Sequence, residues 1–174
     1  YDEMRMGFGK IILAILNFIC KVYLTVIRGT PVVVQILIIY FIVFQSSNAQ
    51  IPIAALAFGI NSGAYVAEIF RSGIMSIDVG QNEAGRSLGF NYAQTMIYII
   101  VPQAFKNVIP TLGNEFIVLL KETAVCGYIG LMDLTRAGDS VRAATYNPYF
   151  PLIFIAVIYL IMVMFFTWLL GKLE

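Results

Sequence analysis

The sequence predicts an all-α membrane protein with about four to five transmembrane helices and a few short interfacial ones. Three observations lead there. The 174 residues are 60% hydrophobic and only 12% charged, with a mean hydropathy of +0.85, whereas soluble domains carry about a quarter charged residues. Apolar windows recur at 11–27, 31–45, 51–70, 94–120 and 148–170, and the longer ones reach the ~20 residues needed to cross a bilayer. No charge lies between Tyr149 and Leu170, so the last window reads as a span.

The first two windows are separated by Arg28-Gly29-Thr30-Pro31. Gly29 suits a helix stop, Thr30 a cap for the next free amides, and Pro31 the first helical position. Two helices joined at a bend are therefore expected, not one long rod. Asn17 and Lys21 interrupt the first window, which favours a helix lying along the inner surface over an independent span. Residues 45–50, Gln-Ser-Ser-Asn-Ala-Gln, form an uncharged polar turn, and Pro52 opens the third helix. Beyond Phe70, the residues Arg71, Asp78, Gln81, Glu83 and Arg86 mark a water-facing loop. Window 94–120 is apolar but contains Pro102, Lys106 and Pro110. The segment from Lys121 to Tyr146 is mixed, with an amphipathic stretch from Leu131 to Asp139, and Asn147-Pro148 opens the last span.

Under this alternation Arg5, Lys10, Lys21, Arg28, Arg71, Arg86 and Lys172 share one side, and Lys121, Arg136 and Arg142 the other. Basic residues concentrate on the cytoplasmic side, which places the Glu83 loop and the C-terminus inside. The chain begins with Tyr1 and not Met, so residues upstream of it are expected.

Several functions are disfavoured. A net charge of +1 without a basic block gives no handle for nucleic acid. The chain has no histidine, which removes His-ligated metal sites and imidazole catalysis. Cys20 and Cys126 lie in apolar settings and read as small buried hydrophobes. The run Gly7-Phe8-Gly9-Lys10 is too short to cradle phosphates and lacks the following hydroxyl, so any nucleotide is bound by another subunit.

Polar residues within the apolar windows are the candidate site. Asn61, Tyr65, Glu68 and Ser72 are spaced to share one helix face. A charge inside a span costs at least ~2.5 kcal/mol and normally faces a cavity or a partner. Glu68 therefore either faces a cavity or pairs with Arg71. Asn114 and Glu115 follow Pro110, with Glu115 able to pair with Lys106 or Lys121, and Gln35 adds a neutral donor and acceptor. Gly59 and Gly63, flanked by Ala55, Ala64 and Ala67, suggest close helix packing.

The loop itself reads Glu83-Ala84-Gly85-Arg86-Ser87-Leu88-Gly89, followed by an apolar run to Val101, then Pro102 and Pro110. A helix from Glu83 to Phe90, capped by Asn82 or Gln81, is expected. Glu83 would sit at its positive end, and Gly85 and Gly89 would leave a flat face open to another backbone. Together with Arg28-Gly29-Thr30-Pro31 and Val34-Gln35, this pattern resembles the EAA loop of ABC-importer membrane subunits, within the polar amino acid uptake family. The resemblance runs from about Tyr23 to Leu170, with one departure: Gly85 stands where the family commonly has alanine.

The resemblance implies a single transmembrane permease domain over residues 1–174, of the type I ABC-importer permease fold, with one further span upstream. It implies that Glu83, Ala84, Gly85, Ser87, Leu88 and Gly89 contact an ATPase. It also implies a midplane substrate site, for which Asn61, Tyr65, Glu68, Glu115, Asn114 and Gln35 are the residues to expect. The implied partners are a second permease subunit forming a homodimer, two ATP-binding cassette subunits holding ATP and Mg, and an extracytoplasmic solute-binding protein. The setting would be the bacterial inner membrane, and the chain itself would be no enzyme. Carboxylates at Glu68, Glu115 and Glu122 lean towards arginine, lysine or histidine as substrate, with glutamine open. The alternative is a proton-coupled secondary transporter using Glu68 or Glu115.

Overall fold

The structure is a computed structural model that describes residues 2–47 and 49–172, with side chains from residue 9 onward. Arg5 and Asn48, used above for sidedness and for the polar turn, have side chains outside the described residues. Among the described residues eight α-helices follow one another: α1 (Asp2–Gly29), α2 (Val32–Ile38), α3 (Gln50–Met75), α4 (Val79–Ser87), α5 (Tyr92–Thr95), α6 (Val101–Glu122), α7 (Leu134–Thr145) and α8 (Tyr149–Leu170). Five-residue π-helical turns extend α2 (Ile39–Val43) and join α5 to α6 (Met96–Ile100), and a 3-10 turn (Thr123–Ile129) leads towards α7. No strand occurs among the described residues. The chain is all-α, as expected.

Among the described residues three stretches are long and apolar enough to cross a membrane: Gly9–Gly29, Gln50–Met75 and Tyr149–Leu170. The first was expected to lie along the inner surface; α1 runs unbroken past Asn17 and the exposed Lys21, and the stretch Gly9–Gly29, with a mean hydropathy of 2.0, has the length and composition of a span. α6, with Gln103, Lys106, Asn107, Asn114 and Glu115, is too polar for the same description, yet it lies lengthwise along α3 in the most extensive helix contact of the molecule. Phe105 meets Phe70 edge-on at 6.0 Å, and a Cβ on Gly73 would collide with Val108. Glycine at 73 is what lets the two helices approach this closely.

The bend after α1 is present, but its chemistry differs from the expected cap. Pro31 sits before the helix in an extended conformation, and Val32 begins α2 without a side-chain cap. The Thr30 hydroxyl donates back to the Val26 carbonyl at 2.8 Å and accepts from Gln35 Nε2 at 2.7 Å. The same amide nitrogen donates to the Ile27 and Thr30 carbonyls, while Asn61 Nδ2 donates to Gln35 Oε1 at 2.9 Å. Gln35 and Asn61 are both buried, and the hydrogen bonds that join them to each other and to the bend offset the cost of that burial. They lock the bend onto α3.

Other helix ends also shift. α3 starts at Gln50, which places Pro52 within its first turn, and it continues past Arg71 to Met75. α8 starts at Tyr149 as expected, its amide donating to Asn147 Oδ1 at 3.0 Å. Of the two cysteines, Cys126 is buried and Cys20 is exposed on α1. The close packing expected at Gly59 and Gly63 is found only at Gly63, where a Cβ would stand 3.2 Å from the Tyr23 hydroxyl, while Gly59 faces open space among the described residues.

Candidate functional site: a charged cleft and the helix beneath it

A cleft of about 400 Å³ opens between the C-terminal end of α1, α3 and α6. α3 contributes Tyr65, Glu68, Ile69, Ser72, Gly73 and Ser76, and α6 contributes Asn107, Thr111, Asn114 and Glu115. Both sets recur every three or four residues, so each is one helix face. Arg28, the last charged residue of α1, completes the wall.

Four of the six expected site residues meet here: Tyr65, Glu68, Asn114 and Glu115. Gln35 and Asn61 do not line it; they hydrogen-bond each other at the bend described above. Glu68 does pair with Arg71, whose Nε lies 3.0 Å from both carboxylate oxygens. It also pairs with Arg28 at 3.3 Å, and that guanidinium stands 5.8 Å from the Tyr65 ring centroid. Glu115 lies beside Ser62 and forms no ion pair with Lys106, Lys121 or any other cation among the described residues. Arg28, Ser76, Asn107 and Thr111 were missed as site residues. For the last two the signal was present in the spacing 107, 111, 114, which carries one polar helix face across Pro110.

At the end of the cleft towards α4, Asn107 Nδ2 donates to Ser76 Oγ at 2.8 Å, and that hydroxyl donates to the Gly73 carbonyl at 2.7 Å. α4 lies just beyond, and its limits differ from those expected. Asp78 is the N-cap, its carboxylate accepting from the Gly80 amide at 2.6 Å, and the helix ends at Ser87. Glu83 is therefore in mid-helix, not at the positive end, and neither Asn82 nor Gln81 is the cap. Gly85 faces inward, where a Cβ would stand 2.7 Å from Thr95 Cγ2 and 3.0 Å from Ile99 Cδ1. It is a packing position against the chain's own helix and not part of an open face. Gln103 Nε2 donates to Gln81 Oε1 at 3.2 Å, a second tie from α4 to α6.

The remaining residues of the expected contact, Glu83, Ala84, Ser87, Leu88 and Gly89, are exposed. Val79 at the start of α4 and Leu88 just past its end are each 74% exposed. Gly89 has φ +84° and terminates α4. Its amide donates to the Arg86 carbonyl at 3.0 Å and the Phe90 amide to that of Gly85 at 3.1 Å, the paired bonds of a Schellman end. Since nothing lies within 4 Å of a Cβ there, the glycine is needed for its backbone and not for space. Gly89→Val is expected to cost about 1–2 kcal/mol by forcing a side chain into the left-handed region. Gly89→Asn should cost less, and thermal unfolding of the purified chain in detergent orders the two.

Helices long and apolar enough to cross a membrane, a polar cleft between them and an exposed, firmly seated helix at one end fit a membrane transport subunit. The chain belongs to the family of binding-protein-dependent transport system inner membrane components, whose model matches residues 9–174. It is 44% identical to the arginine transport system permease protein ArtQ of Bacillus subtilis, over 89% of this chain and 72% of that one. It is 38% identical to the glutamine transport system permease protein GlnP of Escherichia coli, over 92% and 75% of the two chains. A solved amino acid ABC transporter with histidines shares 49% identity and superimposes with a TM-score of 0.81, covering 88% of this chain and 73% of that one. The MetNI methionine ABC transporter, at 18% identity, 94% and 76% coverage and a TM-score of 0.74, shares the fold. The expected family and the type I importer permease fold are thus both found.

Proposed function

We propose that this chain forms the translocation path of an ATP-driven importer for polar amino acids, with the α1–α3–α6 cleft as the substrate compartment and α4 as the ATPase contact. The observation that carries this reading is the physical link between the two. α4 is seated on Thr95 and Ile99 and tied to Gln103, so a push on α4 reaches α6, the helix that bears Asn114 and Glu115. The exposed Val79 and Leu88 supply the apolar anchors that a partner would bury.

In this reading the chain works as a homodimer in the bacterial inner membrane, with two ATP-binding cassette subunits that hold ATP and Mg and a solute-binding protein on the outer face. Arginine, lysine or histidine is favoured over glutamine because Glu115 is the cleft carboxylate without an ion pair among the described residues. Glu68, counted as a second attraction for a cationic substrate, is already neutralised by two arginines. The preference therefore rests on Glu115 alone.

The test is uptake by liposomes containing the full-length permease and its ATPase subunits, with the binding protein added outside. ATP inside should drive accumulation of radiolabelled arginine, and a proton gradient without ATP should drive none. Accumulation from the proton gradient alone would instead establish a secondary transporter.

A further inference from the structure

A second groove, of about 230 Å³, lies between α6 and α8. Pro110, Asn114 and Ile117 of α6 face Thr167 and Leu170 of α8 and Gly171 just past its end. Two contacts fix the register of these helices. A Cβ on Gly113 would stand 3.0 Å from Leu170, and Phe116 meets Phe166 edge-on at 5.2 Å. A step forward along α6 is thus a step back along α8, so Lys172 comes level with the turn around Pro110. Lys106 stands one turn earlier, on the face of α6 that carries Pro110. Both lysines are exposed, and neither forms an ion pair among the described residues. Glu115 turns instead towards Ser62 of α3. Lys172 Nζ lies 3.9 Å from the centre of the Trp168 ring, a pairing of base and aromatic suited to a membrane–water interface. The groove therefore has an apolar wall and, at the end nearest α4, two positive charges.

We propose that this groove binds an anionic phospholipid of the cytoplasmic leaflet, its phosphate held by Lys106 and Lys172 and an acyl chain lying against Ile117 and Leu170. The window of α8 is apolar and left unburied by the rest of the chain, a surface suited to hydrocarbon. Two lysines at the end of such a groove complement a headgroup phosphate, and basic pockets between helices on the cytoplasmic side are where acidic headgroups bind. Asn114 and Thr167 add neutral hydrogen-bonding groups for the ester region. A second copy of this chain fits less well, since a two-fold contact centred on the groove would bring the same two lysines face to face. Asn114 also lines the α1–α3–α6 cleft, so a lipid seated here touches the wall of that cleft. Its binding does not depend on what the cleft carries.

Native mass spectrometry of the full-length permease–ATPase complex reads the affinity, in titrations with phosphatidylglycerol or with phosphatidylcholine of the same acyl chains. Wild type should bind phosphatidylglycerol about 10- to 30-fold more tightly, the worth of two lysines at a membrane surface. Lys106→Gln combined with Lys172→Gln should bring phosphatidylglycerol down to the phosphatidylcholine level. Thr167→Phe, at an exposed position that lines the groove, should weaken binding of both lipids while leaving the lysines in place. Equal wild-type affinities for the two lipids, a comparison that needs no variant to fold, would overturn the proposal. So would a double variant that keeps the wild-type ratio, or a Thr167→Phe complex that binds both lipids as wild type does. A disulfide joining two copies of a Thr167→Cys permease at that position would seat a second copy in the groove and overturn it as well.

Discussion

Gly85→Leu is expected to abolish ATP-driven uptake while leaving the chain inserted in the membrane. Even a Cβ at this position meets Thr95 Cγ2 at 2.7 Å and Oγ1 at 2.9 Å, and Thr95 is completely buried. A leucine must lift α4 away from the Met96–Ile100 turn. Overpacking of this kind costs about 1–3 kcal/mol, too little to unfold a bundle held mainly by the α3–α6 and α7–α8 contacts. The link from α4 to α6 is what fails. ATP hydrolysis by the assembled complex should then continue without transport. A second variant separates relay from general damage: Gly85→Ala loses uptake, and adding Thr95→Ala, which removes both nearest atoms, restores most of it. Wild-type uptake by Gly85→Leu would show that α4 does not relay motion through this contact.

Glu115→Gln is expected to lower arginine uptake about 10- to 100-fold, the worth of one charge-assisted contact, and glutamine uptake much less. The substitution keeps the shape and removes the one cleft carboxylate without a cation partner among the described residues. Glu68→Gln should behave differently. It leaves Arg28 and Arg71 without their shared anion, so both substrates are affected alike and no preference for cationic ones is lost. Uptake of the two amino acids by the same liposomes, wild type against each variant, makes the comparison. Equal losses for arginine and glutamine in Glu115→Gln would make Glu115 a structural residue with no part in selecting the cargo.

Much of this arrangement was legible in the chain. Hydropathy alone marked the spans at 51–70 and 148–170, because burying a turn of apolar residues in lipid needs no partner to be favourable. The Gly29–Pro31 bend and the Asn147-Pro148 start were legible for a similar reason, since the preferences of glycine and proline are local. The position of α4 between two apolar segments followed from its charges, and the spacing of Tyr65, Glu68 and Ser72 correctly put them on one face.

The remainder depends on which face meets which, and periodicity does not contain that. Asp78 looked like any loop carboxylate, and its role as cap rests on an extended backbone that aims the side chain at Gly80. Gly85 and Gly89 are four residues apart and looked equivalent. Packing turned the first inward against Thr95, while the helix end forced the second to a positive φ. Gln35 and Asn61 resembled cleft residues until the bend brought them together, because a buried amide is satisfied by whichever partner the fold supplies. Arg28 shows the same limit from the other side: 40 residues separate it from Glu68 in the chain, and only the turn of α1 onto α3 puts them 3.3 Å apart. The sequence by itself determined the helices, their order, the polar loop and the family. The tertiary structure decided which polar groups are spent on holding the fold and which remain free, since a side chain's hydrogen bonds and charge are shared out only when its neighbours arrive.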